Sequence, residues 1–227
     1  MNNPNLIWIL ILGAALMCLP ISIQMRWYKV AAWKSGIISI VLVATGLFGS
    51  RLWYYVENQS FLGRSFYGVI FIAPIVFYMV SKIIRIPYGY TLDFIAPGGC
   101  LTLALVKIQC LRDGCCNGIL LYIDENRNYI FFPSQIVEMI VFLIISILLL
   151  IICRKSRKKG NIFPWFMILY GASRFGLDFL RGNVSPYALG LSPGSFWSLI
   201  AFSIGVITLI IMRICKKNIT CSRCGIE

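Results

Sequence analysis

The amino-acid sequence predicts an all-α fold, a bundle of about seven transmembrane helices that forms one integral membrane domain over residues 1–227. Hydrophobic residues make up 59% of the 227 positions and charged residues only 13%. Average soluble domains carry about 25% charged residues, so this balance is typical of a membrane protein. Seven windows of largely apolar residues reach the roughly 18 residues that a helix needs to cross the hydrocarbon core.

The seven windows follow one another with short connections and without an internal repeat. The first has no Lys or Arg at residues 1–5, so we interpret it as a helix of the mature protein rather than as a cleaved signal peptide. The fourth is the least regular, because Pro97 removes a backbone donor and the adjacent Gly98 and Gly99 weaken a helix. We therefore expect a broken helix at residues 93–99. The windows are residues 6–23, 30–48, 67–84, 92–108, 135–153, 162–180 and 196–214.

Positive charges collect on one side of this predicted bundle. Cytoplasmic loops of membrane proteins carry an excess of Lys and Arg, so we expect the amino terminus outside, the carboxy terminus inside and residues 216–227 as a short cytoplasmic tail. The same distribution accounts for most of the net charge of +13, so nucleic acid is not expected as a partner. The basic side holds Arg26, Lys29, Lys82, Arg85, Arg154, Lys155, Arg157, Lys158, Lys159, Arg213, Lys216, Lys217 and Arg223. The other side holds Arg51, Arg64, Arg112, Arg127 and Arg181.

A polar stripe at the end of the sixth window is the strongest candidate for a functional site. At about 100° per residue, Tyr170, Arg174, Asp178 and Arg181 fall within about 80° of one another around a helix. Charges at membrane depth cost free energy unless they are paired or line an aqueous cavity, so such a stripe indicates a site. The structural alternative is that Arg174 and Asp178 neutralise each other at i, i+4 and only stabilise the bundle.

Further polar residues are expected at the outer ends of the predicted helices, close to the stripe. Cations in a partly dry cavity, with a carboxylate and phenols nearby, suit the binding of an anionic headgroup and the stabilisation of charge on a leaving phosphate. The residues alone leave acyl or glyceryl transfer, a flippase and a channel open as functions. These polar residues are Tyr67, Lys107, Asp113, Ser134, Gln135 and Glu138.

The nine cysteines do not indicate a metal site. The chain has no histidine, and neither the adjacent Cys115 and Cys116 nor the single pair Cys221 and Cys224 supplies the four ligands of a structural zinc site. We therefore expect no metal and no cofactor. In an oxidising compartment, a disulfide among Cys110, Cys115 and Cys116 is an alternative to free thiols.

Six motifs, in order along nearly the whole chain, resemble those of the prolipoprotein diacylglyceryl transferase family. Asp-Phe-Ile-Ala-Pro at 93–97 matches a stretch of the family, and Lys107 follows at the spacing of the Arg in its Gly-Arg-x-Gly-Asn signature. Pro-Ser-Gln-x-x-Glu at 133–138 and Tyr-Gly-x-x-Arg-x-x-x-Asp-x-x-Arg at 170–181 resemble two further motifs. The remaining three lie at residues 26–28, 49–52 and 65–68.

This resemblance implies a bacterial enzyme with several spans in the plasma membrane. It would move the diacylglyceryl group of phosphatidylglycerol to a cysteine thiol of a lipoprotein precursor and release glycerol phosphate. Its partners would be phosphatidylglycerol, the signal peptide of the precursor and membrane lipids. Carried over to this chain, Lys107 and Arg174 would hold the phosphate, and Tyr67 and Asp113 would be the other catalytic residues. The substrate-binding residues would be Tyr28, Arg51, Ser134, Gln135, Glu138, Tyr170, Asp178 and Arg181.

The chain departs from the family pattern at the catalytic positions. Tyr67 stands where the family has a functional histidine, and Lys107 replaces an arginine. Cys110, Asp113 and Cys115 replace Asn, Asn and Glu, and the Gly-Cys-Cys-x-Gly form also resembles a cysteine-rich branch of the family. Activation of the thiol is then expected from Tyr67 or Asp113. The alternative function is that of a divergent paralogue, which binds or transports an anionic phospholipid without transferase chemistry.

Overall fold

A computed structural model describes residues 4–60, 63, 65–114, 116–123, 129–155, 160–182 and 187–224, with side-chain surroundings between residues 15 and 215. Within these residues the chain forms seven helices and one two-stranded antiparallel hairpin. The elements are α1 Pro4–Trp27, α2 Lys34–Asn58, α3 Tyr67–Ile84, α4 Tyr88–Arg112, β1 Leu120–Ile123, β2 Tyr129–Phe131, α5 Ser134–Lys155, α6 Ile162–Asp178 and α7 Pro193–Cys224.

The prediction of a helical membrane bundle is confirmed. Each of the seven apolar windows overlaps one helix, and α2 and α7 each extend ten residues beyond the carboxyl end of their window. In the part of the chain that the structure describes, α2, α3, α4, α5 and α7 are long and apolar enough to cross a membrane. The helix α6 has 17 residues and carries two charged side chains near its end. The exact number of spans and the orientation of the termini stay predictions.

The predicted break at residues 93–99 is wrong, because α4 is continuous through Pro97. A proline cannot donate to the carbonyl of the residue four positions earlier, which here is Asp93. The side chain of Gln24 on α1 supplies the missing donor, with Nε2 3.1 Å from the Asp93 carbonyl oxygen. Ser146 Oγ on α5 donates to the Pro97 carbonyl at 2.9 Å. Neighbouring helices thus complete the hydrogen bonding around the proline, as a membrane-buried backbone requires.

The hairpin between α4 and α5 is the one departure from all-α structure among the described elements. Its two strands are short and antiparallel, with a register shift at Leu121. Their side chains are almost entirely apolar. The paired residues are Leu120 with Phe131, Tyr122 with Ile130, and Ile123 with Tyr129.

The helices that carry the predicted site residues pack closely in pairs. The helix α6 packs mainly against α7, and α4 packs mainly against α5. Gly171 permits the first contact, because a Cβ there would lie 2.7 Å from the Ser198 carbonyl oxygen of α7. The carboxyl ends of α4 and α6 consequently meet the amino ends of α5 and α7. We call this side of the bundle the polar end, and the opposite side the basic end.

Candidate functional site

The polar end is built around one buried carboxylate, that of Glu138, whose side chain is 1% exposed. Lys107 Nζ from α4 lies 2.5 Å from Glu138 Oε2. Arg181, just beyond α6, donates to both carboxylate oxygens, from Nε at 2.9 Å and from Nη2 at 3.1 Å. Arg174 of α6 faces the same carboxylate, with Nη1 3.6 Å from Oε1. We call Lys107, Glu138, Arg174 and Arg181 the cation cluster.

The prediction that Arg181 continues the helical stripe is wrong, because α6 ends at Asp178 and backbone contacts position Arg181 beyond it. The N–H of Ile119 donates to the Leu180 carbonyl at 3.0 Å, and Gly118 and Arg181 form an isolated antiparallel bridge. A Cβ at Gly118 would lie 2.9 Å from the Leu180 carbonyl oxygen, so the close approach favours glycine. The segment that leads into the hairpin therefore fixes the chain that carries Arg181.

A second carboxylate holds the other side of Arg174. Asp178 Oδ1 lies 3.1 Å from Arg174 Nη2, and Asp178 Oδ2 accepts hydrogen bonds from Ser192 Oγ and, at 2.8 Å, from Ser195 Oγ. Ser192 also caps α7, because its Oγ accepts from the N–H of Ser195 at 2.8 Å. The structural alternative of a two-residue pair does not describe this geometry, since Arg174 faces Glu138 and Asp178 together.

The site carries more positive than negative charge. Its three cationic side chains and its two carboxylates, Glu138 and Asp178, leave a formal excess of one positive charge. Among the described residues, Arg174 Nη1 has no hydrogen-bond partner although its side chain is only 9% exposed. A buried donor without a partner costs free energy, and a charged one costs more. An incoming anion would supply the missing acceptor and balance the charge.

Aromatic rings line the interior side of the cation cluster. Tyr170 is 2% exposed and packs against Phe142, Phe166 and Tyr67, with ring centroids 5.8, 5.7 and 6.1 Å away. The Tyr67 hydroxyl donates to the Gly194 carbonyl at 2.7 Å and lies 2.8 Å from Ser198 Oγ. Tyr67 thus joins α3 to α7, one ring away from the cations.

Ser134 and Gln135 hold the segment beside the cluster. Ser134 Oγ donates to the Cys116 carbonyl at 2.6 Å, and Gln135 Nε2 donates to Asn117 Oδ1 at 2.9 Å. Both side chains are buried at the start of α5, one turn before Glu138. They support the connection from α4 rather than contributing a charge. Cys115 lies outside the described residues, so a disulfide in this segment stays a prediction.

Three residues expected in the site lie outside the cation cluster. Tyr28 is at the basic end, where its hydroxyl donates to Asp93 Oδ2 at 2.7 Å. The start of α6 also contacts Asp93, so about 18 Å of helix separates that group from Arg174. Arg51 is exposed on α2. Asp113 is exposed at the end of α4, where it accepts from Gln109 Nε2 at 2.7 Å.

The structure adds residues at the start of α7 that the sequence reasoning missed. Ser192 and Ser195 bind Asp178, and a Cβ at Gly194 would lie 2.6 Å from Asp178 Oδ1 and 3.1 Å from Arg174 Nη2. A serine followed by a proline, here Ser192 and Pro193, is a common helix start, so the cap itself could be predicted from the sequence. Its contact with α6 was not.

The chain is thus a helical membrane protein with a buried, net-positive cluster of charged side chains at one end of its bundle. Within that class the chain belongs to the prolipoprotein diacylglyceryl transferase family, whose model matches residues 7–211. This match covers most of the chain and confirms the resemblance to this family.

Relatives in several bacteria support the same assignment. A phosphatidylglycerol–prolipoprotein diacylglyceryl transferase of Dehalococcoides mccartyi is 28% identical over 204 residues, which cover 80% of this chain and 78% of the relative. The protein of that name in Clostridium tetani is 28% identical over 202 residues, covering 79% and 81%. A phosphatidylglycerol–prolipoprotein diacylglyceryl transferase 2 of Clostridium perfringens is 24% identical over 192 residues, covering 74% and 75%. The chain is therefore a membrane-bound transferase of a bacterial family rather than a channel or a flippase.

Proposed function

We propose that this chain transfers the diacylglyceryl group of phosphatidylglycerol to the cysteine thiol in the signal peptide of a lipoprotein precursor. Family membership and the names of its relatives support the substrates. The observation that carries the proposal is the cation cluster, in which Lys107, Arg174 and Arg181 surround a single buried carboxylate with positive charge in excess.

The reaction forms a carbon–sulfur bond and breaks the bond between the glyceryl carbon and a phosphate oxygen. Glycerol phosphate leaves with the electron pair of that bond, so negative charge grows on the phosphate. Pre-positioned cations stabilise such charge in the transition state more strongly than in the ground state. Arg174, with its unpartnered Nη1, and Lys107 hold the phosphate in this proposal. Glu138, Asp178 and Arg181 fix the two cations in place.

The nucleophile is the thiolate, and the thiol proton leaves before or during attack. A free thiol has a pKa of about 8.5, so a small fraction is ionised at neutral pH, and nearby cations raise that fraction. The cation cluster therefore assists the nucleophile in a chain without histidine. For the proton acceptor we favour Asp113, an exposed carboxylate, over Tyr67, whose hydroxyl proton is donated to a carbonyl.

The proposed setting is the bacterial plasma membrane, with the polar end facing outward. At the opposite end the described chain carries exposed Arg26, Lys29, Lys82, Arg85 and Arg154. Such an excess of cations favours the cytoplasmic side. The precursor's cysteine would then meet the donor lipid at the outer leaflet.

The direct test incubates the purified protein with phosphatidylglycerol vesicles and a peptide that contains a lipoprotein signal sequence with its cysteine. We expect release of glycerol phosphate that requires the peptide thiol, and a lipid-modified peptide by mass spectrometry. The Arg174→Ala variant should lose both products, whereas Arg154→Ala, at the basic end, should keep them. Phosphatidylglycerol binding that depends on Arg174 without any release would instead support the non-catalytic paralogue.

A further inference from the structure

The hairpin at the polar end exposes an unusual amount of apolar surface. Among its described strand residues, all four side chains of β1 and two of the three in β2 are exposed, by 44 to 63%. They carry no charge, and only the two tyrosines have a polar atom. A two-stranded hairpin of this size is marginally stable alone in water, and a large exposed apolar surface is unfavourable there. We therefore expect this surface to lie in an apolar environment. The exposed residues are Leu120, Leu121, Tyr122, Ile123, Tyr129 and Phe131.

Both faces of the hairpin are apolar. Paired residues of an antiparallel hairpin share a face, and successive residues of a strand alternate between faces. Because the register shift at Leu121 adds one residue to β1, one face holds the pairs Leu120 with Phe131 and Ile123 with Tyr129, and the other holds Tyr122 with Ile130. A hairpin packed against one protein partner would keep a polar outer face. A hairpin surrounded by a fluid apolar medium would not.

This surface continues into the lipid-facing side of α5. Beyond β2, the exposed residues Ile136, Ile140, Ile144 and Ile147 follow one another at helical spacing. Between Tyr129 and Ile152 the sequence has a single charged residue, Glu138, and it is buried in the cation cluster. No charge therefore interrupts the apolar surface between the hairpin and the span.

The base of the hairpin is fixed to the site. Gly118 N–H donates to the Phe132 carbonyl at 3.0 Å, and Ile119 N–H donates to the Leu180 carbonyl next to Arg181. The hairpin consequently begins at the level of the cation cluster. That level, at the ends of the spanning helices, is where lipid headgroups lie, and tyrosine is enriched there.

We infer that the β1–β2 hairpin is a membrane anchor that lies in the interfacial layer of the leaflet at the polar end, beside the cation cluster. Its occupant is the bilayer itself. A precursor peptide or a second copy fits less well, because each would cover one face and the three- and four-residue strands offer a short edge, interrupted at Leu121. Lipid would surround both faces.

Photo-crosslinking of the full chain in phospholipid nanodiscs distinguishes the three occupants. The substitution Tyr122→p-benzoylphenylalanine is made in one preparation and the same change at Arg112, an exposed charged position at the same end, in another. The change at Ile147 serves as the control within the bilayer. After illumination with and without a signal-sequence peptide, intact-mass measurement separates lipid adducts, peptide adducts and cross-linked dimers.

We expect lipid adducts at position 122 at a yield comparable with position 147 and several-fold above position 112, whether or not peptide is present. Dimers, peptide adducts or a yield no higher than at position 112 would overturn the inference. A second substitution sharpens the result: Leu121→Asp, added to the Tyr122 probe, should lower the lipid adduct several-fold, whereas Leu121→Ala should not. Equal lipid adduct in both would also overturn it, and thermal unfolding in detergent checks that each variant is folded.

Discussion

Two buried carboxylates, one at each end of the bundle, are held in opposite ways. Asp93 accepts from the Tyr28 hydroxyl at 2.7 Å and from backbone N–H groups at the start of α6, at 2.6 Å from Gly160 and 2.7 Å from Ile162. These donors are neutral. Glu138 at the polar end instead faces a lysine and two arginines. Asp93 accepts hydrogen bonds from neutral groups, whereas Glu138 is surrounded by cationic side chains.

This difference distinguishes the end that we propose to bind a ligand from the opposite end. Asp93 satisfies the free N–H groups of α6 much as an N-cap side chain would, although it comes from another helix. Both oxygens of the Asp93 carboxylate thus accept hydrogen bonds from the protein itself. The cation cluster keeps a positive excess and a buried guanidinium nitrogen without a hydrogen-bond partner in the described chain. Only the second arrangement gains from an added anion.

The Arg174→Ala substitution is expected to have the greatest effect on the polar end. It removes the donor that links Glu138 to Asp178, so we expect the rate of glycerol phosphate release to fall by about 100-fold or more, as when other charge-stabilising donors are removed. Arg174→Lys should recover part of the rate, because it restores the charge without the two-nitrogen fork. The measurement is release per folded protein. Arg154→Ala is the matched control, and equal rates for it and Arg174→Ala would refute the role of the cluster.

The two carboxylates themselves allow a paired test. Glu138→Gln leaves three cations without their shared anion, so we expect a loss of about 3–5 kcal/mol of stability and of most transfer activity. Asp93→Asn removes a charge that, among the described residues, only neutral groups contact, so we expect a cost of about 1–3 kcal/mol with activity per folded molecule retained. Thermal unfolding in detergent and glycerol phosphate release are measured for both. A retained rate in Glu138→Gln would remove the functional distinction between the two ends.

Two glycine substitutions, at Gly194 and at Gly176, test the packing next to the cation cluster. In Gly194→Ala the new Cβ would lie 2.6 Å from Asp178 Oδ1 and 3.1 Å from Arg174 Nη2, so the ion pair must shift. We expect a loss of about tenfold in transfer rate, equivalent to about 1.4 kcal/mol, because the Arg174 guanidinium, which we propose to hold the phosphate, moves with it. Gly176→Ala on α6 is the control, since no atom outside its chain neighbours and the adjacent backbone of α6 lies within 4 Å of its Cβ position. Matching rates in the two variants would show that the Arg174 position tolerates displacement.

Local patterns predicted more of this protein than distant contacts did. Apolar length located all seven helices, and helical spacing placed Arg174 and Asp178 on one face, because both signals depend on residues near in sequence. The predicted break at Pro97 failed because its compensating donor, Gln24, is 69 positions away from Asp93. No local pattern reports such a donor.

The same limit explains the site residues that sequence reasoning placed differently. Tyr28 precedes α2 and forms part of a family motif, yet its partner Asp93 belongs to the basic end. Gly194 lies in close contact with α6, and this contact cannot be predicted from the residue type. Sequence motifs therefore identify candidate site residues, but the packing of the helices determines at which end of the bundle each residue lies.

The substitution Tyr67→Phe distinguishes a structural role for the Tyr67 hydroxyl from a role as general base. Its hydroxyl donates to the Gly194 carbonyl and lies beside Ser198, which itself donates to that carbonyl at 2.5 Å. Tyr67→Phe should therefore cost about 1 kcal/mol of stability while the carbonyl keeps one donor. The transfer rate should change by no more than a few-fold.

A general base would behave differently, because its loss typically lowers a rate by about 10²- to 10⁴-fold. Glycerol phosphate release by Tyr67→Phe is compared with that of Tyr78→Phe, an exposed tyrosine on the same helix. A large loss of transfer rate in Tyr67→Phe alone would indicate that Tyr67 takes the role of the family histidine. A small loss in both would leave Tyr67 as a link between α3 and α7, and Asp113→Asn would then become the variant in which a slow transfer rate is expected.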